Sequence, residues 1–136
     1  MTRRYLLDSG PAFDFAFRRN GIYERSAEFR RRGAIVGTCV PVLGEMVGGI
    51  EGSDSRDRSM ATFQRHINQL VLWPYEKAAA WEFGRIIADL RRRGRPMQQI
   101  DIMLAAIAIT LGDCTVVTTD SDLSAIPGLR VENGSN

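Results

Sequence analysis

The chain has 136 residues, 44% of them apolar and 25% charged, enough material for one cored domain spanning 1–136 and too little for a second. A formal net charge of +2 excludes a polybasic or polyacidic tail, although Lys77 is the only lysine among the 18 cations; the rest are arginines, whose fork of donors suits phosphate. The longest apolar stretch, Ile102 to Leu111, is about half of what a membrane helix needs, and the run before Asp8 is too short for a signal-peptide core, so a cytoplasmic protein without membrane contact is expected.

In chain order, Tyr5 to Leu7 predicts a short strand closed by Asp8-Ser9-Gly10-Pro11, and the spacing of Phe13 and Phe17 predicts a helix opened by Pro11. Asn20-Gly21 breaks it. Ile22 to Arg32 reads as a second helix stopped at Gly33. Ala34 to Val40, rich in Ile, Val and Thr without clean alternation, resembles a strand covered on both faces. A third helix starts near Pro41 and carries Leu43, Met46, Val47 and Ile50; Glu51 to Asp57 is a loop or frayed end, and Ser59 to Gln69 is a further helical segment. Leu70 to Trp73 is a strand ended by Pro74. From Tyr75 to Arg93, Ala79, Phe83, Ile86, Ile87 and Leu90 follow helical spacing. Gly94 and Pro96 stop that helix, after which Asp101 to Leu111 forms a buried helix, Thr115 to Thr118 a strand and Leu129 to Val131 an edge strand. Alternating strands and helices imply an α/β layer fold with right-handed crossovers.

In open parallel sheets, sites form outside the carboxyl ends of the strands. Here those positions are acidic. Asp8 closes the first strand, Glu45 follows the second, Asp101 opens the buried helix and Asp120 follows Val116-Val117-Thr118. Singly, each aspartate serves equally well as a helix cap or turn former, Asp101 above all. Glu45 cannot cap a helix that begins at Pro41. Unit charges about 4 Å apart repel by roughly 4 kcal/mol at an effective dielectric of about 20, so a cluster of four calls for shared protons or a cation. Oxygen donors without neighbouring His or Cys select magnesium or manganese. Such an ion binds phosphate oxygen and lowers the pKa of a coordinated water, which is equipment for phosphodiester hydrolysis. Ser9, Thr118 and Thr119 offer hydroxyls to the same place, or simply turn and strand-end hydrogen bonds.

The segments Tyr5-Leu-Leu-Asp-Ser9, Val40-Pro-Val-Leu-Gly-Glu45, Gln99-Ile-Asp-Ile-Met-Leu-Ala-Ala106 and Val117-Thr-Thr-Asp-Ser-Asp-Leu123, followed by Ile126-Pro-Gly-Leu129, resemble the PIN domain of VapC-type toxins over nearly the whole chain. The resemblance implies a three-layer fold with a central parallel sheet of four to five strands flanked by helices. It further implies a metal-dependent endoribonuclease using magnesium or manganese, paired with a VapB-like antitoxin that blocks the active site, and a symmetric homodimer. By position it assigns the metal-binding and catalytic quartet to Asp8, Glu45, Asp101 and Asp120. Asp8-Ser9-Gly10 departs from the usual Asp-Thr-Asn, keeping the hydroxyl and losing the amide. Asp122 is either a secondary ligand or a turn residue.

Other features leave more than one reading open. Arg91-Arg92-Arg93-Gly94-Arg95 suits RNA contact near Asp101, or a helix end favoured by the macrodipole with Asp89 as partner. Arg30 to Arg32 share that ambiguity. His66, the sole histidine, excludes a two-histidine ribonuclease and is expected on a helix surface; no GxSxG, GxGxxG or Walker pattern exists. Phe15 should point away from the face shared by Phe13 and Phe17, which either leaves one aromatic for a partner groove together with the 75–90 helix or, residue by residue, is ordinary core packing. Cys39 and Cys114, without a CxxC pair, should be buried free thiols. A non-catalytic PIN-like RNA- or protein-binding module, and a phospho-acceptor receiver domain needing a lysine where Lys77 does not stand, are the competing functions.

Overall fold

In the computed structural model, which describes residues 2–135, the chain runs β1 (Arg4–Leu7), α1 (Ser9–Ala16), α2 (Ile22–Arg31), β2 (Ile35–Cys39), α3 (Val40–Glu51) and α4 (Arg56–Ile67). It continues through β3 (Val71–Trp73), α5 (Lys77–Arg92), α6 (Gln99–Leu111), β4 (Cys114–Thr118), a 3-10 turn (Ser121–Ala125) and β5 (Arg130–Asn133). The strands form one five-stranded sheet in the order β3-β2-β1-β4-β5. Every neighbouring pair is parallel. This is the α/β layer fold that the alternation of elements predicts, with the three layers and, at its upper end, the strand number that the resemblance implies.

Burial follows position in the sheet. All of β4 is buried and β1 nearly so, because helices cover both faces of the central strands. β3 and β5 lie at the edges, and Val71 and Leu72 stay exposed. β2 approaches β3 closely enough that a Cβ on Gly37 would overlap the Val71 carbonyl oxygen and come within 2.8 Å of the Trp73 ring. Only glycine fits there. The core beneath the helices is built from Leu6, Leu7, Phe15, Met46, Phe63, Leu90, Leu104, Ile107 and Leu123.

Several expectations shift. α4 starts at Arg56, inside the stretch read as loop, with Ser55 and Ser59 hydroxyls 2.9 Å apart across its first turn. β5 ends two residues beyond Val131, since Val131, Glu132 and Asn133 all pair with β4. The phenylalanines of α1 take separate roles. Phe15 is the fully buried one, against Tyr23 of α2 with centroids 5.4 Å apart, whereas Phe13 and Phe17 are half-buried on the opposite side, toward α4. α1 is covered on two sides, so spacing alone does not decide between core and partner groove.

His66 is likewise no free surface group. Its Nδ1 lies 2.7 Å from the Ala16 carbonyl oxygen and ties α4 to the end of α1. Arg31 and Arg32 pair with Glu28, and Arg30 reaches the Gln69 carbonyl while its guanidinium lies 5.5 Å over the Phe15 ring. These three arginines are engaged in holding α2. Among the described residues no helix is long and apolar enough to cross a membrane.

Candidate active site

The chain leaves β1 toward β2 on one side and later returns to place β4 on the other, so the strand order changes direction between β1 and β4. Such switch points open a crevice at the carboxyl ends of the strands. The register aligns Leu7 with Val117, which sets Asp8 beside Thr118, and the Asp8 backbone N–H donates to the Val117 carbonyl at 2.9 Å. Two distant segments therefore meet at the crevice.

Asp8 is buried at 7% exposure and caps α1, its Oδ1 accepting from the Ser9 N–H at 2.8 Å. Its other oxygen, Oδ2, accepts from the Thr118 hydroxyl at 2.8 Å. Thr118 Oγ1 in turn accepts from the Asp120 N–H at 2.9 Å. Asp120 Oδ1 accepts from the Asp122 N–H at 2.9 Å, starting the 3-10 turn. The Thr118 hydroxyl thus joins two carboxylate-bearing segments, the strand-end role among the two considered for it.

Glu45 stands within α3, well past its first turn, and is exposed toward the cavity. Asp101 corrects the cap reading: α6 begins at Gln99 with Gln98 at the cap position, so Asp101 lies inside the first turn. A helix start favours a carboxylate and should lower its pKa. The opposite is found. Burial pushes Asp101 up to about 6, and Asp8, Asp120, Glu45 and Asp122 push in the same direction. Desolvation and like charge outweigh the helix dipole here.

All four expected residues line one cavity of about 450 Å³, together with Ser9, Gly10, Thr119 and Asp122. Its far wall is Pro96-Met97-Gln98. Nothing in the sequence flagged that wall, because a loop after a helix stop carries no pattern of its own. Among the described residues, no group of three or more His, Cys, Asp or Glu side chains is drawn together tightly enough to hold an ion as it stands. The donor chemistry nonetheless fits a hard divalent cation: oxygen only, strongly anionic, and mutually repelling as Asp101 records. The cavity also leaves room for an ion that keeps several of its waters, as magnesium does.

Neither thiol competes for the chemistry. Cys39 and Cys114 are both buried and free, and burial first of all pushes each up to about 12, far from a reactive thiolate. Beside the acidic cavity, sharing Gly10 and Thr119 with it, lies a second groove of about 640 Å³ lined by Phe13, Phe17, Arg19 and Ile50. The outer face of α5, with Trp81 at 74% exposure, lines a separate groove rather than joining this one.

Comparison with known proteins agrees with this geometry. Residues 5–129 match the PIN domain family model. The tRNA(fMet)-specific endonuclease VapC of Shigella flexneri is 32% identical over 93 residues, covering 68% of this chain and 70% of the relative. Among solved structures, DNA-bound VapBC from Salmonella typhimurium superposes with a TM-score of 0.85 at 28% identity, covering 98% of this chain and 99% of its own. VapBC-5 of Mycobacterium tuberculosis, from the VapBC family of toxin-antitoxin systems, gives 0.62 at 28% identity over 74% of this chain and 82% of its own. A parallel sheet with acidic residues gathered at its switch point, and sequence likeness along the same segments, together show that the chain belongs to the PIN domain family.

Proposed function

We propose that this protein is a magnesium- or manganese-dependent endoribonuclease, the toxin half of a toxin-antitoxin pair, with Asp8, Glu45, Asp101 and Asp120 as the residues that hold the ion. The observation that carries the reading is the gathering of carboxylates from four separate segments around one cavity. The nuclease part is supported by the names of its relatives, tRNA(fMet)-specific endonuclease VapC and ribonuclease VapC2.

Each residue has a definable task. Asp8 is the fixed point of the site, with a backbone N–H on one oxygen and the Thr118 hydroxyl on the other. Asp120 is aimed by its hydrogen bond from the Asp122 N–H. Asp101 comes from α6 and Glu45 from the neighbouring helix α3, so two separate elements bring a carboxylate to the same cavity. When bound, magnesium or manganese offsets the repulsion among the four, polarises a phosphate and lowers the pKa of water. The hydroxyls of Ser9 and Thr119, both lining the cavity, are placed to orient the phosphate.

The partner in this reading is a VapB-like antitoxin, in keeping with the VapBC complexes among the similar structures. The groove over Phe13 and Phe17 adjoins the acidic cavity at Gly10 and Thr119, so a segment seated there and reaching across them closes the site to RNA. The test is cleavage of RNA under magnesium by the parent, Asp8→Asn and Asp101→Asn, with contaminating nuclease excluded. Loss of at least about a hundredfold in rate is expected for each variant. Variants that cleave as well as the parent sink the assignment.

A further inference from the structure

In the arginine run at the end of α5, the structure separates Arg92 and Arg93 from Arg95. Arg93 donates to Asp89 Oδ2 at 2.9 Å and to the Ala125 carbonyl at 2.8 Å, and Arg92 lies 3.8 Å from Asp89. Those two serve the helix end and its packing on the 3-10 turn. Arg95 does something else. Its guanidinium reaches Asp122 Oδ1 at 3.2 Å, and Asp122 lines the acidic cavity. Among the described residues, Asp122 is the one carboxylate of that cavity that forms an ion pair.

The root of the side chain is fixed while its head is free to exchange. Gly94 turns the backbone with φ +62°, the Arg95 N–H donates to the Leu90 carbonyl at 2.9 Å, and Pro96 follows as part of the cavity wall. The backbone is therefore anchored, and the guanidinium meets the cavity at its exposed rim residue Asp122. Its pair with Asp122 is open to water, with side-chain exposures of 47% and 64%, so it is readily given up. A cavity walled by carboxylates repels an RNA chain, and entry needs a cation at its rim. Phosphate offers the fork of arginine two oxygens at once.

We infer that Arg95 is a substrate-binding residue that grips an RNA phosphate at the cavity mouth, with Asp122 holding the guanidinium in place until RNA arrives. This rests on the ribonuclease reading above. Arg92 and Arg93 take no part in it.

Steady-state cleavage of a short single-stranded RNA, across a salt series under magnesium, separates the possibilities. Arg95→Ala is expected to raise KM about tenfold with kcat within about twofold, and to reduce the slope of log KM against log salt by about one phosphate contact. Arg95→Lys restores part of the lost KM. Asp122→Asn lowers KM when Arg95 is present and leaves KM unmoved in the Arg95→Ala background. Unfolding midpoints of the Arg95 variants stay at the parental value. If the parent cleaves and Arg95→Ala keeps the parental KM and salt slope, or loses only kcat, this inference is overturned and the ribonuclease reading stands. A parent that neither cleaves nor binds RNA overturns both.

Discussion

The Thr118 hydroxyl donates to Asp8 Oδ2 at 2.8 Å while accepting from the Asp120 N–H at 2.9 Å, so one buried side chain sets the spacing of two acidic segments. Thr118→Val keeps the shape and removes both hydrogen bonds. Leaving a buried carboxylate oxygen and an N–H unpaired costs about 1–3 kcal/mol per group. Urea unfolding should show destabilisation of about 2–6 kcal/mol for the two groups together, and RNA cleavage should fall by at least about tenfold. Thr118→Ser should retain most of both. Full activity in Thr118→Val would show that Asp8 needs no such support.

Asp101 gives a pH signature with a definite sign. Its carboxyl is raised from 3.8 to about 6 in the folded protein, so the folded state holds a proton that the unfolded state has released. Stability of the metal-free protein should therefore decline as pH rises from about 4 through about 6, and this share should vanish in Asp101→Asn. In EDTA at neutral pH, thermal unfolding should place Asp101→Asn above the parent. Loss of activity and gain of stability would then travel together, as expected where a site is assembled against repulsion.

The proposed ion gives a second stability test. If the carboxylates of the cavity hold it, millimolar magnesium or manganese should raise the unfolding midpoint of the parent and leave Asp8→Asn unmoved. Calorimetry with and without chelator measures it. Equal shifts in parent and variant would point to nonspecific salt effects.

The separate roles of the α1 phenylalanines can be checked by stability alone. Phe15→Ala should cost about 3–5 kcal/mol, since its ring is wholly buried. Phe17→Ala, on the groove side, should cost clearly less and instead weaken binding of a partner segment. Equal losses would put Phe17 in the core.

Gly37→Ala should be worse than its single methyl suggests. The added carbon has the Val71 carbonyl and the Trp73 ring in its way, so β3 must be pushed off β2. Overpacking of this kind costs about 1–3 kcal/mol. Hydrogen exchange should show β3 losing protection before the central strands.

Much of this was legible from the chain because a parallel sheet writes two signals plainly: continuous apolar strands, and polar residues just beyond them. Asp8 and Asp120 carry the second signal. Asp101 did not, since the start of α6 lies two residues earlier, where Gln98 and Gln99 have no capping signature. The spacing of the phenylalanines shows that Phe15 faces away from Phe13 and Phe17, but not whether it meets core or partner; α1 packs against both α2 and α4, which puts Phe15 in the core. The arginine run was half legible: the spacing of Arg92 and Arg93 from Asp89 predicts the pairs that form. That Arg95 meets Asp122 depends on the turn at Gly94, a tertiary fact.

The bond between Thr118 and Asp8 spans 110 positions of the chain, and this has a bearing on when during synthesis the protein becomes dangerous. A growing polypeptide can form the first two strands and their helices early, yet Asp8 gains its neighbour only after β4 has emerged and slotted in beside β1. Contacts so far apart form late. Any chain interrupted before that point carries half a pocket, so on the proposed ribonuclease reading the harmful activity is withheld until translation of the chain is all but finished.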